Sequence, residues 1–356
     1  MIRVAIVGAG MAGASLAAEI GEAADVLLLE AESRPGYHST GRSAAFWAES
    51  YGGPLIRPLT SGSGPFLGAH GFLKPRGAIH LADAASRSSL DALAAAFPGM
   101  GFAPLGRAAL EAAIPGLKPG RDFGLAEPSC ADIDVAGLHD FYLRRAGASG
   151  ARLVTDARLR GASRTGGRWR IDTTGGSFDA EIIVDAAGAW ADEVAASCGV
   201  RPLGIQPYRR NIAQLRVTPP APDDLPLIID AAGLFYVKAE SGGRIWLSPH
   251  DETPSPPCDC APEEIDVALA IDRLERVVDW RVEAVERKWA GLRSFAPDRL
   301  PVYGYDGAAE GFFWFAGQGG FGIQTAPAAA ALGAALLLGG EPELDPAPYS
   351  ALRFAN

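Results

Sequence analysis

Residues 2–32 read IRVAIVGAGMAGASLAAEIGEAADVLLLEAE, and the fold turns on how this stretch is parsed. A β-branched run, Val4 to Val7, meets Gly8, Gly10 and Gly13 at G-x-G-x-x-G spacing, with Met11 and Ala12 between the last two glycines. A small-residue helix from Ala14 to Ile20 follows. A second apolar run, Val26 to Leu29, then closes on Glu30 and Ala31. Each part has a mechanical reason. Gly8 permits the tight turn, Gly10 lets backbone approach a pyrophosphate, and Gly13 lets the helix pack on the strand, while the helix N-terminus attracts the anion. Glu30 stands at the tip of the second strand, where a carboxylate hydrogen-bonds ribose hydroxyls and repels a 2′-phosphate. The pattern predicts a dinucleotide site and disfavours NADP; it does not choose between NAD and FAD.

A second glycine-rich segment bears on that choice. AGQGGFGIQTAPAAA, Ala316 to Ala330, puts four glycines into the six residues from Gly317 to Gly322, ahead of an alanine-rich helix. A helix start carries partial positive charge and free N–H groups. Reduced flavin carries negative charge near N1 and the C2 carbonyl. The expected division of labour gives the first loop the pyrophosphate and the last loop the redox end of FAD. Gly319, Gly320 and Gly322 allow close approach, with Phe321 and Ile323 completing the loop and Gln318 and Gln324 adding hydrogen bonds. A strand-to-helix turn without a ligand is the alternative.

Composition removes other classes. The chain has 356 residues, 32 Lys plus Arg against 42 Asp plus Glu, and a formal net charge of -10, so it offers no basic field for nucleic acid or an anionic membrane. Four cysteines form no CxxC pair and five histidines show no ligand spacing, so no metal site is expected. The apolar segment Ala326 to Leu338 falls short of the roughly twenty residues of a membrane span and reads as a buried helix. The glycine-broken N-terminus reads as folded structure rather than a leader, and a cytoplasmic location is expected.

Farther along, Gly41 to Ala45 form a small-residue turn expected to enter a helix, and Arg42 offers charge to a phosphate or ring carbonyl. Arg76 to Asp83 reads as a strand, Ser88 to Phe97 as an amphipathic helix, and Val135 to Ala146 as a long helix with Asp134 as its N-cap. Ile182 to Val184 is a buried strand running into the turn Ala186 to Gly188. From Tyr208 the texture changes to alternating strands, as in YRRNIAQLRV and GGRIWLSPH, interrupted by a helix from Glu263 to Asp279. The chain is expected to leave a nucleotide-binding domain, build a β-rich second domain, and return to the first with its last strand and helix.

VGAGMAGASLAAE, Glu30, PGYHSTGRSAA, DAAGAW, KWAGLRSF and GQGGFGIQT occur in this order. The set resembles the D-amino-acid oxidase superfamily of flavoproteins, most of all its bacterial D-arginine dehydrogenase branch, over nearly the whole chain. The resemblance implies an α/β fold: a Rossmann-like FAD-binding domain of the D-amino-acid oxidase type with an interleaved α+β substrate domain built on an antiparallel sheet. Residues 1–75, 135–205 and 294–356 are assigned to the first, and 76–134 and 206–293 to the second. FAD is implied to be non-covalent, since no cysteine follows Cys260. The likeness also puts Thr40, Gly41, Arg42, Ser43, Ala44, Arg158, Ala187, Gly188, Trp190 and Arg293 on the cofactor.

By the same likeness Arg210 and Arg293 face the substrate carboxylate, and Tyr51 and Tyr236 hydrogen-bond the substrate. The implied chemistry is hydride transfer from Cα–H to flavin N5, with the imino acid hydrolysing to a 2-oxo acid. Phe46 stands where the D-arginine enzyme has a histidine, and Ala78 where it has the glutamate that receives a cationic side chain. With Trp47, Gln318 and Gly319 completing the pocket, an apolar side chain or an N-substituted amine is expected. No general base is evident, so amine deprotonation is expected to follow pH. Oxidation of a 2-hydroxy acid is the second reading, and a non-catalytic flavin-binding scaffold or an NAD-dependent reductase a more distant one. The expected partners are a small-molecule substrate and an electron acceptor, whether oxygen, a quinone or another.

Overall fold

The computed structural model describes residues 1–354. Its first sheet has six strands in the order Val302–Tyr305, Phe312–Ala316, Ile182–Asp185, Arg3–Val7, Asp25–Leu29, Arg152–Val154. All pairs are parallel except the first, which is antiparallel. Val4, Ile6, Ile182 and Val184 are buried, as parallel strands covered on both faces require. Helices Met11–Ile20, Val135–Ala148 and Ala326–Leu338 cover one face, and a three-stranded antiparallel sheet, Leu159–Thr165, Arg168–Thr173 and Gly176–Ala180, covers the other. Small residues let the helices approach closely. A Cβ on Gly333 would come 3.2 Å from Leu16 and 2.6 Å from Phe315. Asp134 caps Val135–Ala148 by accepting the Gly137 N–H at 2.9 Å, as the sequence predicts.

A second, ten-stranded sheet holds the alternating segments. Its main path runs Gln318–Gly319, Arg281–Phe295, Gln206–Thr218, Arg244–Ser248, Tyr236–Glu240, Leu227–Asp230, Ala78–Ala82, Phe123–Glu127, Ala103–Gly106. One neighbouring pair, Leu227–Asp230 with Ala78–Ala82, is parallel within this otherwise antiparallel sheet. The edge strand Gln318–Gly319 pairs with Ser294 and Phe295, so the C-terminal glycine segment is bonded to the second sheet before its chain returns to the first.

Three local expectations are corrected. Gly41 to Ala45 do not lead into a helix: a single 3-10 turn, Thr40–Arg42, is followed by the short strand Phe46–Trp47, which pairs with Ala131–Ile133. The helix predicted to reach Asp279 spans Glu264–Glu275, and beyond it the chain turns to strand-like pairing, with the Val277 carbonyl accepting the Lys118 N–H and Val278 bridging to Leu117. The last helix has its expected bounds, Ala326–Leu338, but the glycine segment does not open it directly, because residues 321–325 between them are turn. Among the described residues no helix is long and apolar enough to cross a membrane.

Asp185, at the carboxyl end of its strand, is fully enclosed. Its Oδ1 accepts the Ala187 N–H at 3.1 Å, while Oδ2 has no partner. Burial pushes its pKa well above the usual carboxylate range; the Ala187 N–H opposes this and the Asp192 charge adds to it. The unfolded chain ionises near pH ~3.9, so the stabilisation linked to keeping the proton is full below that value and is lost as pH rises through the folded-state pKa. Asp185→Asn mimics the protonated acid and removes this loss. Its melting temperature should exceed that of the wild type by a margin that grows between about pH 4 and pH 8. A margin that does not change with pH would show that Asp185 ionises normally in the fold.

Candidate active site

A cavity of about 310 Å³ runs past the carboxyl ends of the central parallel strands and reaches the second sheet. Its first end is lined by Glu32, His38, Arg158 and Trp190, with the His38 and Trp190 rings 4.5 Å apart. The middle is glycine and alanine, Gly8, Gly10, Ala187 and Gly188, with Met11, Ala12, Ala31 and Thr40 beside them. Ser43, Ala44, Arg210, Arg293, Gln318, Gly319, Gly320, Gly322 and Ile323 line the far end.

The first loop is built as a cradle. Gly8 has φ +103, and a Cβ there would lie 2.5 Å from the Ala186 carbonyl, so no other residue fits both the turn and the neighbouring strand. Gly13 lies off the cavity and keeps the helix on the strand: a Cβ would run into the Gly8 carbonyl. Glu30, buried at the strand tip, spends both oxygens on backbone, accepting the Ala9 N–H and the Glu32 N–H, each at 2.9 Å. Each oxygen keeps lone-pair capacity for a ribose hydroxyl. His139, which sequence reasoning missed, bonds the Ala9 carbonyl through Nε2 at 2.9 Å. Burial lowers its pKa, so the ring is the neutral donor that this contact needs. Its signal, one buried histidine in a surface helix, does not show in spacing.

Other residues expected at the cofactor have partners elsewhere or lie off the cavity wall. The Arg42 guanidinium donates to the Cys260 and Ala290 carbonyls and pairs with Asp259, so the charge of this lining residue is engaged by the loop at 258–261. Arg158 lines the cavity with its guanidinium 3.3 Å from Glu32. Gly41, Phe321 and Gln324 lie off the wall. Gly41 packs on the Gly36 carbonyl, and Phe321 packs between Tyr51 and Phe295. Both amide hydrogens of Gln324 are engaged. Its amide donates to the Tyr51 carbonyl at 3.1 Å and Thr60 Oγ1 at 2.9 Å, and its oxygen accepts the Ala48 N–H at 3.2 Å.

At the far end Arg293 donates from Nη1 to the Tyr51 hydroxyl at 2.7 Å. Burial works against its charge, but Tyr51, Tyr236, Glu252 and Asp251 more than offset this, and its pKa lies above the ordinary arginine value. Arg210, 3% exposed, donates from Nε to the Asp251 carbonyl at 2.6 Å and from Nη2 to Glu252 at 3.4 Å, leaving Nη1 buried without a partner. Burial and the Arg293 charge pull its pKa down to about 10.

Tyr236, Phe46 and Ala78 lie just behind the cavity wall in one apolar cluster with Ile212 and Leu227. The Phe46 ring stands 5.2 Å from Tyr51 and 6.1 Å from Tyr236. Trp47 is not a pocket residue. Successive strand residues face opposite ways, and its indole points to the helix at Arg57–Ala69, donating to the Thr60 carbonyl at 2.9 Å. His250, also missed, packs its ring 5.9 Å from Tyr236 and holds φ +56. Burial and the charges of Arg210 and Arg293 drive its pKa to about 3, so it is uncharged and a poor proton acceptor. Among the described residues no group of three or more His, Cys, Asp or Glu is placed to hold a metal.

Such a cavity, with a glycine cradle along its middle and two guanidiniums at its far end, defines a dinucleotide-dependent enzyme of flavoprotein type. The chain belongs to the FAD dependent oxidoreductase (DAO) family, whose profile matches residues 3–336. FAD is the cofactor of that family. Glycine oxidase of Pseudomonas aeruginosa is 31% identical over 199 residues, 54% of this chain and 51% of that protein. Hydrogen cyanide synthase subunit HcnC of the same species is 27% identical over 228 residues, 61% of this chain and 51% of that protein. The chain thus aligns with about half the length of the curated relatives it matches. The crystal structure of glycine oxidase from Geobacillus kaustophilus superposes with a TM-score of 0.87 at 24% identity, over 99% of both chains. That of L-proline dehydrogenase from P. horikoshii superposes with 0.86 at 20% identity, over 99% of this chain and 98% of the other. Both likenesses confirm the fold expected from the sequence.

Glu30→Ala separates two roles. If the carboxylate served only ribose, FAD affinity would fall and the apoprotein would melt unchanged. Because two buried N–H groups lose their acceptor, the apoprotein should lose about 2–4 kcal/mol, read by denaturant unfolding, together with at least tenfold of FAD affinity.

Proposed function

We propose that the chain oxidises the Cα–N bond of a carboxylate-bearing amine, a D-amino acid or N-substituted amino acid with an apolar side chain. Residues 1–75, 135–205 and 294–356 would carry non-covalent FAD, and 76–134 and 206–293 the substrate. The observation that carries the reading is the pair of guanidiniums at the far end of the cavity. Arg293 is bonded to Tyr51 through Nη1, and Arg210 keeps a buried Nη1 with no partner. Two like charges held together out of water favour an anion between them, and planar guanidinium matches carboxylate. The likeness to the D-arginine enzymes contributes these arginines and the tyrosines Tyr51 and Tyr236, but neither its histidine nor its glutamate.

The apolar character of the side chain is supported by Phe46, Ala78, Ile212 and Leu227, which meet in one cluster. Non-covalent attachment is supported by the cysteines, none of which lines the cavity. Bound FAD supplies the two-electron acceptor for the Cα hydride. Arg293 and Arg210 would fix the carboxylate, with Tyr51 bonded to Arg293 and Tyr236 standing behind the wall in the apolar cluster. The amine proton leaves to solvent, because His250 is too weak a base to take it. The imino acid formed takes up water and gives a 2-oxo acid and free amine or ammonia.

The reading is tested by following the flavin bands anaerobically while apolar D-amino acids, D-arginine and N-alkyl glycines are added. Bleaching by the apolar substrates and not by D-arginine is expected, with a rate that rises as pH deprotonates the substrate amine and shows no enzyme group near neutrality. Arg293→Met should retain FAD and lose kcat/KM by about 100-fold or more. A yellow protein that no amine bleaches would overturn the proposal.

A further inference from the structure

Behind the apolar wall lies a polar array that the chemistry above does not use. Glu127 is wholly buried on the strand Phe123–Glu127, directly opposite Ala78 on the strand Ala78–Ala82. Opposed residues of an antiparallel pair share a face, so the missing carboxylate at Ala78 is replaced by one on the adjoining strand. That carboxylate is already occupied. Its Oε2 accepts the Ser50 hydroxyl at 2.6 Å and faces His80 Nε2 at 3.1 Å, and its Oε1 accepts the Ser50 N–H at 3.3 Å. Burial alone would raise its pKa, but His80 and Ser50 outweigh burial and keep it low, so the group stands as an anion.

Both groups of Ser50 that Glu127 holds belong to the residue immediately before Tyr51. From the other side Gln324 holds the same turn, through the Ala48 N–H and the Tyr51 carbonyl. The turn is thus pinned from the second sheet by Glu127 and from the C-terminal segment by Gln324. What it presents is the Tyr51 hydroxyl, bonded to Arg293 and so close to Gly320 that a Cβ there would collide with it. The Tyr51 ring has aromatic neighbours in Phe46 and Phe321, and among the described residues its hydroxyl makes no hydrogen bond other than that to Arg293. Its height over the cavity is therefore set through its backbone.

We propose that Glu127, acting through Ser50 and supported by His80, is a positioning residue for the carboxylate clamp: it fixes Tyr51 and thereby the guanidinium of Arg293. The inference rests on the clamp proposed above. It also gives Glu127 a role other than receiving a cationic side chain, since its oxygens are engaged.

The test uses the FAD-loaded protein with butyrate as a carboxylate probe, its binding read from the change in the flavin visible spectrum. Ser50→Ala and Glu127→Gln should each weaken butyrate about tenfold while FAD content and the unliganded spectrum stay near wild type and Ser50→Ala stays folded with a lowered melting temperature. Ser50→Thr, which returns the hydroxyl, should restore binding. In a Tyr51→Phe background Ser50→Ala should add nothing, because the effect passes through that hydroxyl. Wild-type butyrate affinity in Ser50→Ala, or a full additional loss in the Tyr51→Phe background, would overturn the inference and leave the functional reading standing. A wild-type protein whose flavin ignores butyrate would overturn the clamp itself, and this inference with it.

Discussion

The Tyr51–Arg293 hydrogen bond joins three distant parts of the chain. Tyr51 follows the short strand at Phe46–Trp47, Arg293 lies on the long strand of the second sheet, and both press against Gly320 in the segment returning to the first sheet. A charge buried at such a junction is tolerated only where its surroundings are fixed. Here the surroundings are the Tyr51 hydroxyl and the acidic groups Asp251 and Glu252, which keep Arg293 ionised despite its burial. Glu252 also bonds Arg210 and, from outside, Arg299 at 2.8 Å, so the same loop balances both guanidiniums. The protein carries a net charge of -10, yet it concentrates two guanidiniums at the far end of the cavity. Counting charges along the chain hides this, because the acids that offset the arginines lie on a different strand connection.

The nucleotide end of the molecule was legible because its constraints are local. Gly8, Gly10 and Gly13 act within one turn, and Glu30 follows the strand that this turn pairs with, so spacing alone reports the geometry. Even there the sequence understated what Glu30 does: its carboxylate holds the turn together before it meets any ligand. Asp134 as a helix cap was equally readable, since a cap and the N–H it serves lie three residues apart.

The substrate end was less legible because its contacts span the chain. Trp47 and Phe46 are neighbours in sequence but face opposite sides of a two-residue strand, and nothing short of the strand assignment separates them. Expecting a helix after Gly41 erased that alternation. Arg42 looked free for a phosphate, but the carbonyls of Cys260 and Ala290, more than two hundred residues away, needed donors. Ala78 was read as removing a carboxylate from the pocket wall. The adjoining strand supplies Glu127 on the same face, a relation that only strand register reveals.

The C-terminal glycines line the cavity, but not by the route the sequence suggested. They were expected to bring the start of a helix against the flavin, so that its dipole would stabilise the reduced ring. The helix Ala326–Leu338 begins after an intervening turn, and dipole effects fade within the first turn of a helix. What lies at the cavity is instead the edge strand Gln318–Gly319 and the turn after it. Gly319 holds φ +55 with Phe295 where a side chain would be, so the backbone itself forms this part of the wall. Any electrostatic help from this segment therefore comes from individual peptide N–H groups, whose direction is fixed by the pairing of Gln318–Gly319 with Ser294 and Phe295. Those two residues directly follow Arg293, so the strand that carries this guanidinium also sets the backbone of this part of the cavity wall.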